Sequence, residues 1–229
     1  MNLLKVSNPL MKWLYMMLKL TGIWWLYNLP YIFLGVNLLA AKDVEAVHTI
    51  VITGICLLPF AAVPSTAAAL AIARKYLKGD GEFPFFHSFW HYYKREYKKS
   101  VVLGLLNVAL LIVFYLALRY YAELSALLAV FFYLLLVLTP FFFLYVCSYL
   151  VDQELPLKGY LINAFYLLIM HPLNTTLMVT VVLASGYFLW AALPPLLILI
   201  MPGLVAFTMT YFYQKSMAAE IKKSSALSN

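Results

Sequence analysis

This chain has little charge. Only 11% of its 229 residues are Asp, Glu, Lys or Arg, against 65% hydrophobic. That leaves too little polar surface to coat a soluble globule. Cysteine is scarce as well: Cys56 and Cys147 both fall within apolar runs, which excludes a disulfide framework and a cysteine-rich metal site. No P-loop, GxSxG or dinucleotide glycine pattern occurs. No catalytic residue and no cofactor is therefore expected. The apolar runs also lack Asp, Glu, Lys and Arg well inside them. Proton-coupled carriers need a titrating group at mid-membrane, so this weighs against a proton-driven carrier. Sodium coupling through carbonyls and hydroxyls escapes that argument.

Long apolar runs are what the chain has in quantity. Six stand out: Leu20–Ala40, Thr49–Ala73, Val101–Leu118, Leu124–Leu150, Thr175–Ala192 and Leu196–Tyr213. Each is near or above the ~20 residues that cross a bilayer core. The first is too long for a signal-peptide core, so it is expected to stay as a span. Fourteen of the sixteen Lys and Arg residues lie at the termini or in the even-numbered connections; only Lys42 and Arg119 lie on the other side. By the positive-inside rule both termini are expected in the cytoplasm. The net charge of +7 sits beside spans rather than in a basic domain, which favours anionic membrane lipids over nucleic acid as its counterpart.

An internal repeat organises the chain. Pro9, Pro84 and Pro156 each open a segment that precedes two spans, giving expected repeats 9–73, 84–150 and 156–213. Proline suits a helix's first turn, and Ser7 or Asn8 would cap the first of these helices. The expected fold is therefore an all-α membrane protein: one integral membrane domain over residues 1–229, with six transmembrane helices arranged as three elbow-helix plus hairpin repeats.

The elbows differ in character. At the first elbow, Pro9–Lys19, the residues Lys5, Lys12 and Lys19 recur every seven positions and would form one stripe if the helix continued that far. In Pro84–Lys99, Phe85, Phe86, Phe89, Trp90, Tyr93 and Tyr97 fill one face, and His87, His91, Lys94, Arg95, Lys98 and Lys99 fill the other. Aromatics opposite cations predict a helix lying flat in the headgroup plane. Its lipid-facing residues are then Phe85, Phe89, Trp90, Tyr93, Lys94, Arg95, Lys98 and Lys99. The third, Pro156–His171, is apolar nearly all round through Leu157, Leu161, Ile162, Phe165, Leu168 and Ile169. Its own bundle covers it, or a partner does.

Sharper readings of single residues give way to plainer ones. His87 and His91 stand four apart, but no Glu follows His87 and Lys94 continues the same face; they are expected as interfacial residues, not metal ligands. Ser65 and Thr66, beside Ala67–Ala69, are expected to serve close helix packing rather than nucleophilic chemistry. Pro30, Pro59, Pro64, Pro140, Pro172 and Pro202 interrupt or flank spans as kinks or cavity-lining breaks. Asn28, Asn37, Asn107 and Asn174 are expected to bond across helices, with a solute path as the alternative. The connection Arg74–Glu82 carries a flexible Gly79-Asp80-Gly81 turn.

The runs Phe60-Ala61-Ala62-Val63-Pro64-Ser65-Thr66-Ala67-Ala68, Arg74-Lys75-Tyr76-Leu77-Lys78-Gly79, Phe83-Pro84 and Phe89–Ser100 resemble the YesL family of small bacterial integral membrane proteins. The genes of that family often accompany carbohydrate ABC importers and polysaccharide-degrading enzymes. The resemblance implies a place in the bacterial cytoplasmic membrane beside oligosaccharide uptake. An importer's permease presents a cytoplasmic Glu-Ala-Ala loop to its ATPase, and neither Arg74–Lys99 nor Asp152–His171 contains one. The expected function is thus an accessory or assembly subunit without catalytic activity, whose partners are permease subunits of a carbohydrate ABC importer. Expected contacts are Leu157, Leu161 and Phe165 of the third elbow, with Ser65, Thr66 and Gly186 at small-residue stretches. An independent small-solute permease and a self-assembling membrane scaffold are the alternatives.

Overall fold

Proline positions govern where the helices of this chain bend and start. In a computed structural model describing residues 9–79 and 83–227, the described chain is helical throughout its length apart from short connections. The elements are α1 (Pro9–Tyr27), α2 (Leu29–Ala40), α3 (Val44–Leu57), a π-helical turn (Leu58–Ala62), α4 (Val63–Leu77), α5 (Phe85–Ala122), α6 (Ala126–Asp152), α7 (Leu157–Met170), α8 (Pro172–Ala192) and α9 (Pro194–Leu227). Lys5, the caps expected at Ser7 or Asn8, and Asp80, Gly81 and Glu82 lie outside the described residues. Gly79, at the end of α4, has φ of 76°, the left-handed geometry that glycine adopts without strain after a helix.

Among the described residues, five helices are long and apolar enough to cross a membrane: Val44–Leu77, Phe85–Ala122, Ala126–Asp152, Pro172–Ala192 and Pro194–Lys223. A sixth crossing exists if the pair Met11–Tyr27 and Leu29–Ala40, bent by 80°, counts as one span. The protein is a multi-pass, all-helical membrane protein. The bend falls at Asn28, two residues before Pro30. Pro30 has no N–H for the ladder of α1 and sits in the first turn of α2, where that N–H is not needed.

The second elbow departs from expectation. Nothing between Lys99 and Val101 stops a helix, so Pro84–Lys99 is not a separate flat helix. It forms the first four turns of the 38-residue α5. Part of its aromatic face turns inward, while Phe86 and Trp90 stay exposed. Phe89 is fully buried and Phe85 nearly so, so these two are not lipid-facing. Tyr27 of α1 covers the face, with ring centroids 4.9 Å from Phe89, 5.9 Å from Trp90 and 4.8 Å from Tyr93. The cations Lys94, Arg95 and Lys98 remain outward. The first elbow likewise runs unbroken into α1. Only the third is a helix of its own, α7, which ends at His171 before Pro172.

Helix α4 is the centre of the bundle. Ten of its fifteen residues are buried, and it packs against α1, α5, α6 and α9. Alanine makes this possible, because Ala67, Ala68, Ala69, Ala71 and Ala73 let neighbouring backbones approach from every side. Gly104 of α5 is needed for the same reason. A Cβ there would stand 2.8 Å from the Pro59 Cα of the π-helical turn.

Candidate functional site

Polar side chains inside the apolar part of the bundle are used to join helices. Asn28 is fully buried; its amide donates to Ser65 Oγ at 2.6 Å and to the Trp24 carbonyl at 2.8 Å. Trp24 Nε1 donates to Thr66 Oγ1 at 3.1 Å. Asn174 donates to Ser216 Oγ at 2.9 Å, and Tyr145 shares a hydrogen bond with Thr175 at 3.1 Å. Asn37 instead turns back to the Phe33 carbonyl of its own helix. These bonds hold the bend between α1 and α2 against the start of α4, and α8 against α6 and α9.

Proline creates one further junction. Pro202 cannot donate to Ile198 O, the carbonyl one turn back. Trp25 Nε1 of α1 donates to that carbonyl instead, at 2.8 Å. The next N–H, of Gly203, donates to Thr21 Oγ1 at 3.0 Å. Two polar groups of α9 at the proline are thereby met from one face of α1, and α9 continues unbroken. A side chain at 203 would abolish the fit, since its Cβ would lie 2.5 Å from Met17 O.

The ends of the helices that carry most of the basic residues meet in a second polar cluster. Arg74, at the end of α4, pairs with Asp152 Oδ1 at 2.7 Å and donates to the Val151 carbonyl. Tyr213 of α9 donates to Asp152 Oδ2 at 3.0 Å. Tyr160 of α7 is the neighbouring node. Its hydroxyl accepts from Lys99 Nζ at 3.2 Å and from Leu155 N at 3.0 Å, and donates to Gln153 O at 3.2 Å. Further along α9, Glu220 pairs with His171 at 2.7 Å and with Lys223 at 2.9 Å. A cavity of about 160 Å³ opens beside this cluster, lined by Arg74, Tyr92, Arg95, Asp152, Gln153 and Glu154 among others. One arginine–carboxylate pair thus clasps the ends of α4 and α6, and a tyrosine adds α9.

The residues singled out from sequence separate into two groups. Ser65 is fully buried and Thr66 half-buried, both engaged by α1, so neither is available to a partner; the bend at Asn28 brings α1 onto them. Leu157 and Phe165 are exposed, at 40% and 58%, while Leu161 and Gly186 are half-buried. Gly186 faces Met201, whose Cε would be 3.3 Å from a Cβ there. The third elbow is covered on one face only: Tyr160, Ala164 and Leu167 are buried, and Ile162, Phe165, Tyr166 and Ile169 are exposed. His87 and His91 line an open groove with Trp90, Lys94 and Arg95, and the Lys94 ammonium sits 5.0 Å from the Trp90 ring centre. Among the described residues no three His, Cys, Asp or Glu side chains gather as metal ligands. Cys56 and Cys147 are both free thiols.

Sequence reasoning missed Asp152, Tyr213 and Tyr160. The signal for the first was available. Arg74 and Asp152 each stand just past the end of an apolar run, on the same side of the topology.

Helices of membrane-spanning length, joined internally by polar bonds and clasped by charge at one end, define a multi-pass membrane protein. The family described as "Protein of unknown function, DUF624" matches residues 17–118. Over 158 residues, 65% of this chain and 69% of the relative, the chain is 30% identical to "Uncharacterized protein YesV" of Bacillus subtilis (strain 168). The chain belongs to this DUF624 family. No solved structure matches it. The matched segment includes Thr21, Trp25, Asn28, Ser65, Arg74 and Gly104, while Asp152, Gly203 and Tyr213 lie beyond it.

Proposed function

We propose that this protein is an accessory or assembly subunit of a bacterial carbohydrate ABC importer, which binds the permease subunits sideways in the membrane and performs no chemistry. The observation that carries this reading is the use made of the interior polar groups. Asn28, Asn174, Trp24, Trp25 and Thr21 hold helices to one another, as a scaffold requires. The exposed face of α7, with Ile162, Phe165, Tyr166 and Ile169, offers the contact surface. The sugar context rests on the YesL-like resemblance alone. In this reading the protein sits in the cell membrane with both termini cytoplasmic, and three repeats, each a segment opened by proline and leading into a hairpin, make up its single domain. The outward cations of α5 meet anionic lipids of the inner leaflet.

Purification from the native host membrane tests it. Permease subunits should come with the protein, and Phe165→Arg should weaken that association. Recovery of the protein without any permease would overturn the proposal. For orientation, in a background lacking Cys56 and Cys147, an impermeant thiol reagent added outside should label Glu45→Cys and Glu123→Cys. Labelling of Lys78→Cys would invert the map.

A permease is the second reading, and one observation favours it. Asn28 Oδ1, Ser100 Oγ and Asn107 Oδ1 are buried acceptors without a protein partner, and a solute's hydroxyls would satisfy them. Saturable uptake into liposomes by the purified protein alone would establish that reading.

A further inference from the structure

Between α5, α6 and α7 lies a cavity of about 210 Å³ lined by Leu110, Phe114, Leu138, Phe142, Phe165 and Leu168, together with Leu135 and Thr139. Its one polar side chain is already satisfied, because Thr139 donates to the Leu135 carbonyl of its own helix. The groove therefore offers no hydrogen bond to a polar solute and suits a saturated or monounsaturated hydrocarbon chain.

The basic end of the same helices supplies the other half of a ligand. At 100° per residue, Lys99 lies within about 20° of Leu110 on the face of α5, and Lys158 within about 20° of Phe165 on α7. Lys99 Nζ bonds the Tyr160 hydroxyl and sits 5.6 Å from its ring centre, which ties the amine to the start of α7 without neutralising it. Lys158, two residues earlier, is exposed. Of the acids near Lys99, Glu96 is bonded by Arg95, leaving Glu154 exposed at that end. Two cations against one exposed carboxylate leave the mouth positive. From Lys99 to Leu110 the rise along α5 is about 16 Å. That is close to half of a ~30 Å hydrocarbon core, the depth of one leaflet.

We propose that this groove binds one acyl chain of an anionic phospholipid from the leaflet bordering the basic end, with its phosphate between Lys99 and Lys158. The groove shares Phe165 with the proposed permease contact, but its test uses the isolated protein, so its failure leaves the proposed function standing.

Native mass spectrometry of the purified protein, with dioleoyl phosphatidylglycerol and dioleoyl phosphatidylcholine as competing probes, decides it. The wild type should retain phosphatidylglycerol in preference. Lys158→Gln and Lys99→Gln should each lower that retention about fivefold while leaving phosphatidylcholine unchanged. Leu138→Trp, which fills the groove, should lower both lipids. Equal retention of the two lipids by the wild type would overturn the proposal. So would Lys158→Gln binding phosphatidylglycerol like the wild type; this exposed position decides the matter even if Lys99→Gln, which loses a bond to Tyr160, does not fold. Unchanged binding by Leu138→Trp would place the lipid elsewhere and overturn it equally.

Discussion

One continuous helix, Val44–Leu77, contains both the least and the most buried parts of this bundle. Its first half, α3, has no buried residue, and neither has α2, which packs beside it. Its second half, α4, is buried along ten of fifteen residues. Apolarity does not separate them, since Val51, Ile52 and Ile55 of α3 are exposed while Ala67 and Ala73 of α4 are not. Size does. Lipid tails are as apolar as leucine, so a membrane gives large apolar side chains little reason to prefer the interior. Close backbone approach is what distinguishes an inner helix, and only small residues permit it. The π-helical turn Leu58–Ala62, built around Pro59, marks the change from one regime to the other.

The sharpest way to break this contrast is to enlarge the small residues. Ala68→Leu places three extra carbons where no exposure remains, and Gly203→Val drives a branched side chain onto Met17 O and Thr21 Oγ1. Each should cost about 3 kcal/mol, the upper range for overpacking a close-packed site. Thermal unfolding of the detergent-purified protein measures it. Midpoints close to wild type for both variants would mean that small size is not what packs α4 and α9.

The ionic clasp should matter next. Arg74 and Asp152 are about a quarter and a fifth exposed, which lessens the penalty of a fully buried pair. Asp152→Asn keeps the shape, weakens the pair and retains an acceptor for Tyr213. Arg74→Ala leaves a carboxylate with Tyr213 alone. The second should destabilise by about 2 kcal/mol and the first by less. The reverse order in the melting midpoints would show that Tyr213, rather than Arg74, is the partner that holds Asp152.

Much of this was legible in the sequence. Five of the six apolar runs correspond to helices of spanning length, and the first to a pair bent by 80° beside a proline already marked as an interruption. The interhelical use of Asn28 and Asn174 was also readable, because an amide in an apolar helix must find a partner or leave the membrane. Two things were not. The aromatic face of Phe85–Tyr97 reads equally as a face for lipid or for another helix, and only Tyr27 folding back over Phe89 decides between them. Pro202 read as a kink or a break, yet α9 runs through it. The compensation comes from Trp25 and Thr21, far away in the chain. Periodicity reports what one helix presents and carries no record of which distant helix answers it.

Asn28 sits at the junction of the two regions, and its replacement should have a moderate effect. Asn28→Ala removes the bonds to Ser65 and Trp24, together worth about 1 kcal/mol on the scale of interhelical bonds in membranes. Ser65 would keep its bonds to Ala61 O and Ala62 O, so no buried donor is orphaned, which limits the cost. A drop as large as that of Ala68→Leu would mean that the bend, not the alanine surface, fixes α4.

The smallest effect should come from the outer half of the helix, and it completes the comparison. Ile52 is 61% exposed on α3, with lipid as its expected neighbour. Ile52→Ala removes apolar area that was never taken from one solvent into a different one, so the transfer term that makes core truncations costly is nearly absent. Alanine also forms helix slightly better than a β-branched residue. The melting midpoint in detergent should therefore move by the equivalent of less than about 0.5 kcal/mol, in either direction. If Ile52→Ala instead costs as much as a core truncation while the isolated protein remains monomeric, α3 must pack on the bundle in the membrane. If it leaves stability alone but reduces recovery of permease subunits from native membranes, α3 shares the partner surface with α7.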